Sequence, residues 1–320
     1  MTLLLANYFR ESGNEVDIIS HQSPLLSNSF DWVYYTPSFS KQISLFLACD
    51  IFFMPNISLK GIWLLLFNPF KVWVISHNGW YGNYSPKGSK TILERLKIKL
   101  SMKAKNIAVS KTVAEYLKIQ CEVIPNCFNH NIFYLRPHVA RAKTVVFVGR
   151  LVSDKGIDTL VKACDKLWSS GMQFQLHIIG DGPELNWIQS FIADNSNGNK
   201  IILHGYISGS TLGEELNRHK LLIAPSKCPE GFGLVVLEGL SSGCKVIVSD
   251  MGALPEVVGE FGKIFPSGNV DSLAQLIKNE LFEPELNQDS AQVKLKEYLN
   301  IHSIENIGKA YLNVFRGKGK

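Results

Sequence analysis

Four charged residues in the second half of this 320-residue sequence stand where an α/β chain would meet a ligand: Arg150, Lys155, Glu230 and Glu238. Glu230 precedes Gly231-Phe232-Gly233, at the expected start of a helix over residues 233–243. Free amides and the positive end of a helix dipole suit a phosphate there. The carboxylate of Glu230 can accept sugar hydroxyls. Glu238 lies among Val235, Val236, Leu237, Gly239 and Leu240. A carboxylate in such apolar company needs donors, and a ribose diol would supply them. Arg150 follows Val145-Val146-Phe147-Val148-Gly149, and Lys155-Gly156 opens the next helix. Two cations at a strand-to-helix turn can hold a diphosphate leaving group without a metal. Spacing alone proves little, because Glu297 and Glu305 repeat the Glu230–Glu238 interval on what reads as a solvated helix face. The glycines and the preceding strand set the first pair apart.

The elements that would position these residues follow from hydropathy. In the second half, short β-branched runs at 145–149, 174–180, 201–203, 221–224, 245–248 and 263–265 alternate with amphipathic stretches such as 156–169, 183–194 and 210–218. Continuous apolar strands separated by helices predict a parallel sheet covered on both faces. The first half repeats the pattern less regularly, with strands expected at 16–19, 32–35, 51–54, 72–76, 107–109 and 122–124. Ligands bind outside the carboxyl ends of such strands. Gly149-Arg150, Gly180-Asp181-Gly182, Gly205, the run from Pro225 to Gly233, and Asp250-Met251-Gly252-Ala253 all follow strands and converge on one rim.

Residues 136–141 lack periodicity and contain a proline, so they read as a linker. The expected domains are 1–138, 139–291, and a C-terminal helical segment over 292–320 that packs back on the first domain, ending in Lys318-Gly319-Lys320. Six cysteines without a C-x-x-C pair read as reduced thiols rather than zinc ligands. The longest apolar burst, residues 62–67, is far short of the about 20 residues a membrane span needs. No basic run precedes the apolar start, so no secretory signal is expected and the expected location is the cytoplasm. Charge is uneven: residues 1–143 carry 16 Lys and Arg against 8 Asp and Glu, whereas residues 144–320 carry 17 against 20. The basic half is suited to an anionic partner.

Phe147-Val148-Gly149-Arg150-Leu151 with Asp154-Lys155-Gly156, Ile179-Gly180-Asp181-Gly182-Pro183-Glu184, and Glu230-Gly231-Phe232-Gly233 with Glu238 closely resemble the retaining glycosyltransferases of family four, of the bacterial surface-polysaccharide and lipopolysaccharide type. Ser241-Ser242-Gly243-Cys244-Lys245 and Gly252-Ala253-Leu254-Pro255-Glu256 extend the match, which is nearly unbroken over 145–270 and thinner before it. The resemblance implies a GT-B fold of two facing Rossmann-like domains, with the nucleotide-sugar donor in the second and a saccharide or lipid-linked saccharide acceptor in the first. It implies diphosphate binding by Arg150 and Lys155, ribose binding by Glu238 and a sugar contact by Glu230. Backbone near Gly231, Phe232, Gly233, Leu234 and Val235 would hold sugar and phosphate, with Gly149, Gly180, Gly182, Gly205 and Tyr206 completing the donor pocket. His77 resembles the histidine that reaches the donor sugar. The implied donor carries UDP in preference to GDP, and no metal or other cofactor is expected, in keeping with the absence of any Asp-x-Asp triplet.

Two departures matter. Family members begin with a strand and a glycine-rich loop, whereas this sequence opens inside what resembles the helix that follows, Leu3-Leu4-Leu5-Ala6-Asn7-Tyr8-Phe9. The first domain is therefore expected to lack its central strand and to carry unpaired strand edges. The alternative reading is a catalytically impaired nucleotide-sugar-binding relative. In addition, Cys127 and Asn129 replace a usual glycine and aspartate. Finally, residues 87–105 hold Lys87, Lys90, Arg95, Lys97, Lys99, Lys103 and Lys105 against Glu94 alone, with Ile92, Leu93, Leu96 and Leu100 at helical spacing. That pattern suits either a helix packed on its sheet or a peripheral contact with an anionic membrane, at the inner face of the plasma membrane. Nucleic acid is not expected, since no reader motif accompanies the charge.

Overall fold

The β-branched runs become parallel strands and the amphipathic stretches become helices in a computed structural model that describes residues 2–21, 30–79, 91–282 and 289–317. The chain divides into two compact units: Met1–Asn126 with Ile304–Lys320, and Cys127–Ser303.

In the first unit, β1 (Ile18–Ser20) and β2 (Val33–Tyr35) pair parallel to each other. A separate sheet joins β3 (Ile51–Pro55), β4 (Val72–His77), β5 (Lys105–Ala108) and β6 (Glu122–Val123) in that order, all parallel. The described strands of this unit thus lie in two sheets, as the expected lack of a central strand would leave them. Trp73, Ile75, Met54 and Ile57 form a small core on the larger sheet. The final helix, Ile304–Phe315, packs on the first, Thr2–Glu11: the Phe9 ring lies 6.4 Å from Tyr311 and 5.4 Å from Phe315. Gly308 allows this approach, because a Cβ there would overlap the Tyr8 ring. The buried Tyr311 hydroxyl bonds Ser76 Oγ at 2.8 Å, tying that helix to β4.

In the second unit the sheet order is β12-β11-β10-β7-β8-β9, from β7 (Ala142–Val148), β8 (Gln175–Ile179), β9 (Ile201–Gly205), β10 (His219–Ala224), β11 (Lys245–Ser249) and β12 (Gly262–Phe265). Every pair is parallel. This is a doubly wound sheet whose order reverses between β7 and β10. Leu221, Leu222, Ile223, Val246, Ile247 and Val248 are almost wholly buried, as expected of strands covered on both faces. The helix Ile157–Ser169 buries Leu160, Val161, Cys164, Leu167 and Trp168 in the same core as Leu273 and Ile277 of the helix Val270–Phe282. Each such Leu or Ile contributes about 1.5–3 kcal/mol of burial.

Two expectations change in detail. The helical pattern over 292–316 is two helices, Asp289–Ile301 and Ile304–Phe315. Turn bonds from His302 N to Leu299 O and from Ser303 N to Asn300 O, each 3.0 Å, close the first of them. Buried His302 packs against Tyr298 and Phe232, with ring centroids 5.1 and 5.8 Å apart. The break coincides with the boundary between units. The segment 136–141, expected as a linker, is fastened to the second unit. Arg136 N donates to Asn217 Oδ1 at 2.7 Å, and the Arg141 guanidinium donates to His219 O at 2.6 Å and Ser242 O at 2.8 Å.

Candidate functional site

All strands of the second sheet run the same way, so the loops after β7, β8, β9, β10 and β11 emerge on one edge. Backbone bonds knit these loops into one rim. Gly149 N donates to Ile179 O at 3.0 Å, Leu151 N to Asp181 O at 2.8 Å, and Gly180 N to Gly205 O at 2.8 Å. Lys227 N donates to Asp154 O at 2.7 Å, and Ala253 N to Glu230 O at 2.9 Å. The glycines are what let the loops meet. Gly156 has φ +68°, and a Cβ there would overlap the carbonyl oxygen of Pro225. With that close approach, the short turn Ser153–Lys155 lies against the loop after β10.

Lys155 therefore reaches Glu230 and forms an ion pair with its Oε1. Ser226 Oγ donates to the same oxygen at 2.5 Å. Both charged side chains keep some solvent access, 27% for Lys155 and 20% for Glu230, enough to be met by a ligand. Arg150 is exposed on the same rim, and its guanidinium makes no hydrogen bond or ion pair among the described residues. Behind them Gly233 adopts φ +90° and opens the helix Leu234–Ser241. The first amides of that helix, Leu234 and Val235, have no intrahelical acceptor. The Phe232 side chain is buried against His302, leaving only its backbone for a ligand. Gly182 lies in the loop after β8, where a Cβ would crowd Leu151 O. Gly205 ends β9, and Tyr206 beside it is 79% exposed.

Glu238 projects from the second turn of the same helix. Burial pushes its carboxyl from 4.5 up to about 7. No described residue donates to it. The unfolded carboxyl ionises near 4.5 and the folded one near 7, so ionisation disfavours the fold. The associated stability is intact below pH 4.5 and lost as pH rises through 7. Glu238→Gln, of the same shape and without charge, is expected to match the unsubstituted chain at pH 4.5 and to exceed it above pH 8 by about 3 kcal/mol. Urea unfolding of both proteins across that range measures the difference. Equal stability at every pH would show that the carboxyl is solvated.

The structure gathers Arg150, Lys155, Glu230, Glu238 and the five loop segments on one unit. His77 belongs to the other. It ends β4, is fully buried, and its Nε2 lies 2.8 Å from Asn106 Oδ1. Burial holds its pKa below the ordinary 6.5, so the ring is neutral at pH 7. Two residues of the rim escaped the sequence reading. One is Ser226, which orients Glu230. The other is Asp158, which pairs with Lys227 at 2.6 Å and ties the helix after Lys155 to the loop after β10. Their only signal was position, just beyond a strand or at the start of a helix.

A protein-family model described as "Glycosyl transferases group 1" matches residues 136–296. An uncharacterized glycosyltransferase of Methanocaldococcus jannaschii, MJ1178, is 31% identical over 202 residues, covering 60% of this chain and 55% of that protein. The alpha-D-kanosaminyltransferase of Streptomyces kanamyceticus is 23% identical over 177 residues, 55% of this chain and 46% of that enzyme. The chain spans about half the length of these curated relatives. Among solved structures, sucrose-phosphate synthase from Thermosynechococcus elongatus superposes with a TM-score of 0.76 at 20% identity, over 98% of this chain and 91% of that one. Anabaena Alr3699/HepE, solved in complex with UDP, gives 0.71 at 17% identity, over 87% and 81%.

Proposed function

Since this chain belongs to the group 1 glycosyltransferases and has a GT-B-like fold built of parallel-sheet Rossmann-like units, we propose that it transfers a sugar from a nucleotide diphosphate sugar, with retention of anomeric configuration and without a metal, to a saccharide or lipid-linked saccharide of a surface polysaccharide or lipopolysaccharide. The observation that carries this reading is the Lys155–Glu230 pair beside exposed Arg150, at the start of the helix Leu234–Ser241. Arg150 and Lys155 neutralise the departing diphosphate, and the helix amides add donors to it. As Lys155 turns to phosphate, Glu230 is released to accept hydroxyls of the transferred sugar. The ribose diol donates to Glu238, which ends its unpaired burial and pulls its pKa back down. UDP is the favoured nucleotide, since it is the one bound in the solved Anabaena neighbour. Incubation with UDP-hexoses in EDTA, followed by proton NMR of the sugar released to water or acceptor, tests the proposal. An α-anomer from an α-donor is expected, and an initial β-product or strict need for added divalent metal would refute the mechanism.

The division of the first unit's strands into two sheets favours a second reading, a nucleotide-sugar-binding relative without transfer activity. Tight UDP binding with no turnover of any donor would select it.

On the acceptor side we propose contact with an anionic membrane. Ile92, Leu93, Leu96 and Met102 are exposed on or just after the helix Ile92–Ser101, where Arg95 and Lys99 also face solvent. Apolar residues flanked by cations insert into lipid interfaces. Lys87 and Lys90 of the same basic stretch lie outside the described residues, as do residues 318–320. No described helix is long and apolar enough to cross a membrane. Sedimentation with phosphatidylglycerol vesicles is expected for the unsubstituted chain, and its partition coefficient is expected to fall by at least about 100-fold for Leu93→Asp with Leu96→Asp, since each buried leucine is worth about 1.5–3 kcal/mol. Equal sedimentation of both proteins would remove the contact.

A further inference from the structure

The second unit carries a cluster of imidazoles that the donor rim does not use. His177 lies in β8, His204 in β9, Glu215 on the helix Gly209–Arg218, and His219 opens β10. They line an open cavity of about 680 Å³ together with Ala142, Thr144 and Gln175. Ala142, Gln175 and His219 are the first residues of β7, β8 and β10. The cavity therefore opens at the amino ends of those strands, away from the rim that carries Arg150 and Glu230.

Within it, His177 Nδ1 lies 2.8 Å from His204 Nε2, and His204 Nε2 lies 3.9 Å from Glu215 Oε1. One ligand atom from each of the three residues falls within 4.8 Å of the other two. A tetrahedral ion with bonds near 2.0–2.2 Å holds its ligand atoms about 3.3 Å apart, a value these distances bracket. The β8–β9 register shifts between Ile178 and Ile179, so His204 is an extra residue on β9. A bulge of this kind re-aims a side chain. Glu215 is itself positioned: His219 Nε2 lies 3.2 Å from its Oε1, while His219 Nδ1 lies 2.8 Å from Thr144 Oγ1. Thr144 donating to Nδ1 leaves Nε2–H to donate to Glu215, the supporting bond that fixes a metal-ligating carboxylate. The facing nitrogens, His177 Nδ1 and His204 Nε2, share a single proton as a bare pair, and an ion between them would take both lone pairs; the other ring nitrogen of His177, Nε2, is buried with no hydrogen-bond partner and plays no part in the site.

We propose that His177, His204 and Glu215 form a binding site for a zinc ion, which clamps β8 and β9 to the helix Gly209–Arg218. Two imidazoles and one carboxylate suit zinc rather than calcium or magnesium, which prefer all-oxygen ligands. The fourth position faces the open cavity and is left to water. The site is separate from the diphosphate-binding residues, so it acts on stability and not on the transfer step.

The test uses the full chain, stripped with EDTA, dialysed, and titrated with zinc in a chelator buffer. One zinc per chain is expected, with a rise in melting temperature, and cobalt in its place is expected to show the visible bands of a tetrahedral nitrogen–oxygen site. His204→Ala and Glu215→Gln are each expected to weaken zinc binding by at least about 10–100-fold. His138→Ala, an exposed histidine of the same unit, is expected to leave it unchanged. Failure of the folded, unsubstituted chain to take up zinc overturns the site, as does undiminished binding by a folded His204→Ala chain.

Discussion

Lys155→Ala is expected to lower the rate of sugar transfer by about 10³-fold while leaving the fold intact. In the proposed transfer, Lys155 passes from Glu230 to the leaving diphosphate, where its charge is needed most as the glycosidic bond breaks. Removing one well-placed charge or donor of that kind costs about 10²–10³ in rate. Its loss also leaves Glu230 held by Ser226 alone, so the carboxylate is less well placed for the sugar. The loss belongs in kcat more than in KM, because the interaction strengthens toward the transition state. Stability should change by less than about 1 kcal/mol, since both members of the ion pair keep solvent access. The transfer assay in EDTA, run beside a melting curve, separates the two effects. Unaltered kcat in a folded Lys155→Ala chain would show that the pair is only structural.

Gly180→Ala is expected to destabilise the second unit by more than about 3 kcal/mol, the largest stability effect foreseen for a single methyl group here. Gly180 has φ +146°, a conformation that side chains rarely adopt. A Cβ there would overlap the backbone carbonyl oxygen of Gly149. Neither side can retreat, because Gly180 N is held by Gly205 O and Gly149 N by Ile179 O. Gly171→Ala provides the contrast: its φ is +93°, but nothing lies within 4 Å of the added methyl group. Strain alone should amount to about 1–2 kcal/mol there. Urea unfolding of the three proteins gives both numbers. Similar losses at the two positions would mean that the rim is not knit as tightly as its backbone bonds imply. Gly180 and Gly182 let three loops converge.

How much of this was legible beforehand varied with the distance over which each feature is built. The second sheet was, because Val145, Leu221 and Val246 stand in continuous apolar runs with glycine after each strand, a local pattern. The places of Arg150, Lys155 and Glu230 on the rim followed from the same pattern. Ser226 was not, since a serine after a strand carries no mark of the carboxylate it will meet four residues on. The first unit was read strand by strand, and the division of its described strands into two sheets is what the expected lack of a central strand would leave. The break at His302-Ser303 was hidden because both sides are amphipathic; it is settled by His302 packing on Phe232, 70 positions away. The histidine cluster was invisible for the same reason. His177, His204 and Glu215 have no motif spacing, and only the alignment of β8, β9 and one helix brings them together.

The central claim is a metal-independent nucleotide-diphosphate site on the second unit, and calorimetric titration of the full chain with UDP and with GDP in EDTA tests it most directly. Micromolar binding of UDP, weaker binding of GDP, and loss of the UDP signal in both Arg150→Ala and Glu238→Ala are the predicted results. A folded chain that binds neither nucleotide, or that binds UDP equally well after both substitutions, would contradict it.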